Sequence, residues 1–316
     1  MIKQVVVDKG IPFLDGVFSP EIDVRFLSPE EITSDSVRHA DALFVRTRTK
    51  INKELLHGSN VRFVATATIG FDHIDQDYCR EAGVHWVSCP GCNAQAVCDY
   101  VEEAISSIKS DKSELTVGVI GYGHVGKLVA QMAEKRGYKV LLSDPPLGIG
   151  LSLEQLAPQC DVLTFHTPLT REGEYPTYHL CDENILRRCK PGTLIINAAR
   201  GGVVDEQALI PFLSPHRLIA CIDCWDGEPK LNQELLKKVN LASFHIAGYS
   251  IQGKMNASEM CLRAFCEFFS LPILSINKKA VPLQGDSEKG WLLRITEQLK
   301  ANPEQFEQFR KQYKLR

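Results

Sequence analysis

A short apolar run, Thr116–Ile120, empties without a break into Gly121-Tyr122-Gly123-His124-Val125-Gly126, and a helical pattern follows to Arg136. No other stretch of the chain restricts its fold so tightly. A glycine-rich turn between a buried strand and a helix is the opening βα unit of a doubly wound sheet, whose ligand sits at the carboxyl ends of parallel strands. Gly121 permits the tight turn, Gly123 lets the backbone approach a phosphate, and Gly126 lets helix and strand pack closely. His124 and Val125 lie at the helix N-terminus, where free N–H groups and the positive end of the dipole favour an anion. At the end of the next strand, 18 residues past Gly126, stands Asp144. An acid there accepts hydrogen bonds from a ribose 2′-hydroxyl and repels a 2′-phosphate. Pro145 and Pro146 follow it, with no arginine to welcome that phosphate, so the cofactor expected is NAD.

Strands alternate with helices on both sides of this unit. Val5–Val7, Val24–Leu27, Ala42–Val45, Val61–Ala65 and Val84–Val87 read as strands, with helices over Asn52–His57 and Ile74–Ala82. A long amphipathic helix spans Asn93–Ile108, with Asn93 as its N-cap. After a polar break, Lys109–Glu114, strands follow at Thr116–Ile120, Lys139–Ser143, Val162–Phe165, Thr193–Ile196 and Leu218–Ile222. The pattern predicts an α/β protein of two Rossmann-like or flavodoxin-like domains, with parallel sheets flanking an active-site cleft. The expected division is an NAD-binding Rossmann domain at 94–246 and a substrate-binding domain from 1–93 plus 247–316. The second of these regains the chain through a helix from Gly253 to about Phe269. Its shortened, polar C-terminal segment, Lys278–Arg316, contains a helix at Pro303–Tyr313.

A net charge of −3 gives no electrostatic footprint for nucleic acid or an acidic membrane. No apolar run approaches the roughly 20 residues that span a bilayer, and Val5–Val7 is too short for a secretory signal, so a cytoplasmic protein is expected. The 11 cysteines are scattered, many within apolar runs. The pairs Cys89/Cys92 and Cys221/Cys224 are far apart in sequence, and the second lies in a strand that turns its members to opposite faces. They read as reduced structural thiols, with no metal site.

Three segments after apolar runs carry reactive groups: Asn197–Gly202, Asp226–Pro229 and His245–Tyr249. Arg200 offers a rigid fork suited to a carboxylate. Glu228 offers a carboxylate, with Asp223 and Asp226 as competitors. His245 is the group whose ordinary pKa suits proton exchange near neutrality. Each alone has an ordinary reading as a solvated or buried loop residue. Together they are what hydride transfer from a hydroxy acid requires. The best rival histidine, His73, precedes a helical pattern and reads as structural. Two further loops, Val45–Lys50 and Ala65–Gly70, concentrate hydroxyls and cations, Arg48 among them, and suggest a second anion on the substrate.

With Gly121–Gly126, Asp144, Arg200, Glu228 and His245 in this order, the chain resembles the D-isomer-specific 2-hydroxyacid dehydrogenases over roughly residues 1–270. The runs Thr66–His73, Pro90–Ala94, Leu163–Pro168 and His245–Tyr249 resemble one branch of that family, which acts on a small phosphorylated 2-hydroxy acid. The resemblance implies that Arg200, Glu228 and His245 are catalytic, His245 being the proton donor or acceptor. It implies that Thr47, Thr68 and Tyr249 touch substrate. It also implies that Asp144, Thr167, Ala198, Ala199, Arg200, Asp223 and Gly248 touch NAD. A homodimer is implied too, with less C-terminal chain to build it than the branch usually has. One departure lies beside the chemistry: the family commonly has proline before the histidine, and this chain has Phe244. Phosphoglycerate, glyoxylate and hydroxypyruvate reductases share the same site plan. A dinucleotide-sensing binding protein shares the fold, though it has no need of the arginine, glutamate and histidine.

Overall fold

The structure, a computed structural model, describes residues 2–109, 114–214, 216–277 and 290–315. The first part of the chain forms β1 (Gln4–Asp8), β2 (Asp23–Leu27), α1 (Ser34–Val37), β3 (Ala42–Val45), α2 (Lys53–Leu56), β4 (Phe63–Thr66), α3 (Gln76–Glu81) and β5 (His85–Val87). There follow α4 (Ala94–Lys109), β6 (Thr116–Ile120), α5 (His124–Lys135), β7 (Lys139–Asp144), β8 (Ile149–Gly150), α6 (Leu153–Leu156), β9 (Val162–Phe165), α7 (Glu183–Arg188) and β10 (Thr193–Asn197). The chain continues through α8 (Glu206–Leu209), β11 (Leu218–Ile222), α9 (Gln233–Lys238), β12 (Leu241–Ala242) and α10 (Ile251–Phe268), and ends in α11 (Trp291–Ala301) and α12 (Phe306–Gln312). These elements fall into two units, one from 1–93 and 250–284, the other from 94–249 and 285–316.

In the first unit five parallel strands lie in the order β2-β1-β3-β4-β5. The order reverses between β1 and β3, which makes the loops after those strands the natural place for a ligand. β3 and β4 are buried along their whole length, as strands covered on both faces must be. Phe265 of α10 packs on Phe44 and Phe63, with ring centroids 5.4 and 6.1 Å apart, so α10 completes this core. Ser250 caps α10 by accepting a hydrogen bond from the Gly253 N–H at 2.9 Å.

The second unit holds a seven-stranded sheet in the order β12-β11-β10-β9-β6-β7-β8, parallel except for the two-residue β8. Outward from β6 this is the Rossmann order, with its reversal between β6 and β9. β9 and β10 are fully buried.

Three expectations change. The segment 247–316 does not belong wholly to the first unit: α11 and α12 are part of the second. Their apolar faces explain why, since Trp291, Leu292, Ile295, Leu299 and Phe306 are buried in the second unit's core. α11 also covers the edge strand β12. The Thr296 hydroxyl accepts from the Ala242 N–H at 2.9 Å, and its own proton has the Leu292 carbonyl at 2.8 Å and the Ala242 carbonyl at 3.1 Å within reach. The Ala242 N–H, which an edge strand would leave bare, is thereby paired. Second, Asn93 does not cap α4; its side-chain oxygen is buried with no hydrogen-bond partner. Third, the helix expected at Pro303–Tyr313 is a 3₁₀ turn at Pro303–Gln305 leading into α12. Most of the expected polar break at 109–114, and residues 278–289, lie outside the described residues.

Thr296→Val keeps the shape of α11 and strips β12 of its hydroxyl partner. Urea denaturation should show a loss of about 1–3 kcal/mol, and a loss below about 0.5 kcal/mol would mean that α11 does not secure the sheet edge.

Candidate active site

The glycine loop joins β6 to α5 at the sheet's reversal point. Gly121 has φ +89°, and a Cβ there would lie 2.8 Å from the His166 carbonyl, so the loops after β6 and β9 touch. At Gly126 a Cβ would lie 1.9 Å from the Gly121 oxygen, which only glycine avoids. At Gly123 a Cβ would meet nothing within 4 Å: the backbone there faces open space. Gly123 also caps α5 without any side-chain bond, so the N-cap residue itself offers nothing to the N-terminal N–H groups carried by His124, Val125 and Gly126. Beside this loop, the Thr167 hydroxyl is buried with no partner. An open glycine backbone, an uncapped helix and an orphan hydroxyl fit a phosphate-bearing dinucleotide. Asp144 organises the same corner: its carboxylate accepts from the Tyr122 N–H at 2.6 Å and the Leu147 N–H at 3.3 Å.

The loop after β10 is built by Asn197. Its amide donates to the Arg200 and Cys224 carbonyls at 3.0 and 3.3 Å, and its oxygen accepts from the Ala199 N–H at 3.2 Å. Gly201 presses on the next loop, since a Cβ there would lie 2.0 Å from the Trp225 oxygen. Arg200 is therefore carried beside the Glu228 loop. One guanidinium nitrogen donates to the Ala199 carbonyl at 2.8 Å, with Ala198 and Ala199 buried beneath it.

Of the three competing carboxylates, Glu228 meets His245. Its oxygens lie 2.9 and 3.1 Å from Nδ1, and its Oε1 also accepts from the Trp225 N–H at 2.9 Å. Asp223 does different work. It is buried, and its carboxylate accepts from the Ser243 hydroxyl at 2.6 Å and from the Ile246 and Ala247 N–H groups at 2.8 and 3.0 Å. Asp226 is exposed; its N–H donates to Glu206 at 2.6 Å. His245 itself has φ +58°, a left-handed backbone that a histidine holds only when its surroundings impose it.

Electrostatics follow from this geometry. Burial works against a charged His245, but Cys224 and Glu228 outweigh it and hold the imidazole well above its ordinary value. Burial pushes the Cys224 thiol up, so near neutral pH it is uncharged and the Glu228 carboxylate is the operative partner. Burial likewise opposes the charge on Glu228, yet the hydrogen bond and charge of His245, the Trp225 N–H and the Arg310 cation bring it below its ordinary value.

Sequence reasoning passed over Arg310. It lies on α12 with Phe306 and Phe309, and Tyr313 follows as the residue that ends the helix, at a spacing of three and four. Its Nε donates to the Tyr249 hydroxyl at 3.1 Å, and its Nη1 lies 4.0 Å from Glu228. Gly248 and Tyr249 continue the His245 loop, closed by the Tyr249 N–H on the Ile246 carbonyl at 2.8 Å.

In the first unit, Thr47 sits in the tight turn after β3, closed by the Thr49 N–H on the Arg46 carbonyl at 3.1 Å. Arg46 is paired with the fully buried Asp8 at 3.1 Å, whereas Arg48 is an exposed cation 4.0 Å from Glu30. The Thr68 hydroxyl lies 2.7 Å from that of Thr66 and donates to the Gly70 carbonyl at 2.9 Å. His73 lies 3.0 Å from the Thr66 hydroxyl and is lowered by burial, a neutral histidine within the loop. Among the described residues no group of three or more His, Cys, Asp or Glu is placed to hold a metal ion.

The family model for the D-isomer specific 2-hydroxyacid dehydrogenase, NAD binding domain, matches residues 98–247. The erythronate-4-phosphate dehydrogenase of Bacteroides thetaiotaomicron is 40% identical over 99% of this chain and 96% of its own length. That of Pseudomonas fluorescens (strain Pf0-1) is 42% identical over 92% of this chain and 81% of its own. Among solved structures, the TT0316 protein of Thermus thermophilus aligns with a TM-score of 0.73 at 25% identity, covering 85% of this chain and 98% of its own. An NAD+-bound 3-phosphoglycerate dehydrogenase of Entamoeba histolytica shares the fold, with a TM-score of 0.71 at 24% identity over 85% and 96% of the two chains.

The Glu228–His245 pair has a defined pH signature. A raised histidine contributes stability that is complete below its ordinary value of 6.5 and is lost as pH climbs through its folded value. A lowered glutamate contributes stability that is complete above its ordinary value of 4.5 and is lost as pH falls through its folded value. The difference in Tm between the protein and His245→Gln should therefore be greatest between pH 4.5 and 6.5 and shrink on both sides. A difference flat across pH 4–9 would show the pair to be uncoupled.

Proposed function

The chain belongs to the D-isomer-specific 2-hydroxyacid dehydrogenase family, and we propose that within it the chain oxidises 4-phospho-D-erythronate at C2 to 2-oxo-3-hydroxy-4-phosphobutanoate, with NAD as cofactor. This is a step of pyridoxal 5′-phosphate synthesis. The observation that carries the substrate is near-full-length identity of 40% to a relative named for that reaction. The observation that supports the reaction class is a histidine held on a glutamate 2.9 Å away. The reading includes a cytoplasmic location and a homodimer. Free thiols on all the described cysteines agree with the first, and the family resemblance supports the second.

In this reading the substrate carboxylate is anchored by Arg200, whose loop Asn197 and Gly201 fix in place. Thr47, Thr68 and Tyr249 hold the rest of the molecule. His245 takes the C2 hydroxyl proton through Nε2, because Nδ1 is committed to Glu228. Glu228 selects the tautomer and stabilises the imidazolium that forms. Arg200 also faces the carbonyl oxygen as charge grows on it, a contact that strengthens in the transition state. NAD, when bound, supplies the acceptor for the hydride that leaves C2. Gly121, Gly123, His124, Val125, Gly126 and Thr167 hold its phosphates, Asp144 its ribose, and Ala198–Arg200, Asp223 and Gly248 line the remainder.

Glu228 holds the His245 imidazole above its ordinary value, which favours the imidazolium. Oxidation needs the neutral ring, so kcat/KM for oxidation should rise with pH, with its acid limb above pH 6.5, and the reverse reduction should fall over the same range. His245→Ala should lower kcat by about 10²–10⁴; near-normal turnover would remove it from the chemistry. A panel of erythronate 4-phosphate, 3-phosphoglycerate and glycerate, scored by kcat/KM with NAD and NADP, tests the substrate. A glycerate-type acid ahead of erythronate 4-phosphate would overturn the specific reading while leaving the family intact.

A further inference from the structure

We propose that Arg310, on the last helix, is a positioning residue of this active site: it fixes the Tyr249 hydroxyl by hydrogen bond and shares the Glu228 carboxylate with His245. The inference rests on the reading above for what Tyr249 and His245 do, and on the structure for how Arg310 reaches them.

Arg310 and Phe309 of α12, and Tyr313 just past its end, all reach the segments around His245. Arg310 Nε donates to the Tyr249 hydroxyl at 3.1 Å, and Nη1 lies 4.0 Å from Glu228 Oε2. The same Nη1 donates to Glu307 at 3.4 Å, one turn back on the same helix, which helps hold the guanidinium in place. Phe309 and Tyr313 pack on Phe244, with ring centroids 5.8 and 5.9 Å away. Phe244 is the residue immediately before His245, and it is buried. One helix thus grips both ends of the His245 loop, at Phe244 and at Tyr249. The Arg310 side chain is only 27% exposed, so its charge acts in a poorly screened setting.

The charge has a directional consequence. Glu228 faces two cations, the imidazolium and the guanidinium. Removing Arg310 leaves the carboxylate to the imidazolium alone, which favours the protonated ring and raises its titration midpoint. The other groups around the pair are Cys224, a neutral thiol near pH 7, and the acids Glu206, Asp223, Asp226 and Glu307, all of which remain when Arg310 is changed.

Two substitutions separate the two roles. Arg310→Gln keeps a donor for Tyr249 and loses the charge. Arg310→Lys keeps the charge and loses the planar fork. The His245 midpoint, read by NMR on protein with labelled histidine and no substrate present, should rise by about half a unit or more in Arg310→Gln and stay put in Arg310→Lys. In steady-state kinetics with NAD the acid limb should move with it, while KM for the hydroxy acid rises about 2–10-fold in Arg310→Lys and changes little in Arg310→Gln. Equal behaviour of the two variants, or no movement of either midpoint or KM, would overturn the proposal. If Arg310→Gln does not melt cooperatively, Arg310→Lys decides alone: an unchanged KM refutes, a raised KM with an unmoved midpoint supports. The NMR midpoint needs no turnover, so it stands even if erythronate 4-phosphate proves to be the wrong substrate.

Discussion

The buried carboxylate of Asp223 holds the second unit's chemistry together. It sits just past β11 and accepts hydrogen bonds from the Ser243 hydroxyl and from two consecutive N–H groups, those of Ile246 and Ala247. A carboxylate removed from water needs such donors, and here they come from the loop that carries His245. The network extends to Tyr100, whose hydroxyl lies 2.7 Å from that of Ser243. Helix, strand and loop are thereby tied through one acid. This tie makes the left-handed φ of His245 tolerable, since strain of about 1–3 kcal/mol persists only where the surroundings over-determine it. The ring then meets Glu228, which hangs from the same strand by its own loop.

The parts of this arrangement that sequence revealed are those with a local signature. Gly121, Gly123 and Gly126 announce a strand, a turn and a helix by their spacing: Gly121 takes a left-handed φ, Gly123 leaves the backbone open, and Gly126 packs on the Gly121 oxygen. The apolar runs at Val162–Phe165 and Thr193–Ile196 announce strands buried on both faces. Local signals of this kind also set the order in which Arg200, Glu228 and His245 follow their strands. They do not say which acid meets the histidine. Asp223 and Glu228 follow the same strand, five residues apart in sequence, and only the folded loop turns one to the backbone and the other to the ring.

The remaining omissions share a physical origin: they depend on contacts between segments remote in sequence. β12 is two residues long and has no periodicity to detect; it pairs with β11, and Thr296, over fifty residues later, accepts from its Ala242 N–H. α11 carries Trp291, Leu292, Ile295 and Leu299 at helical spacing, so its apolar face is a local signal, but the sheet edge it covers is not. Asn93 is the opposite case. Its composition advertises a cap, and the fold leaves its side-chain oxygen without a partner.

Phe244 links the shape of the His245 loop to the end of the chain. A proline before His245 would stiffen the loop covalently, by fixing φ and removing an N–H. Phenylalanine offers no such restriction, so the loop's shape has to be imposed from outside. The structure supplies that through Phe309 and Tyr313, which pack on the Phe244 ring, and through Asp223 from beneath. Rigidity that would come from one residue's ring comes instead from the packing of a distant helix. Such packing is set by whole-fold cooperativity, so the geometry of His245 becomes linked to the docking of α12. Because Arg310 rides on the same helix, the brace on the loop and the charge beside Glu228 arrive together. A change that loosens α12 therefore acts on loop shape and on the electrostatics of the Glu228–His245 pair at once, whereas a change at Arg310 alone acts on the second without the first.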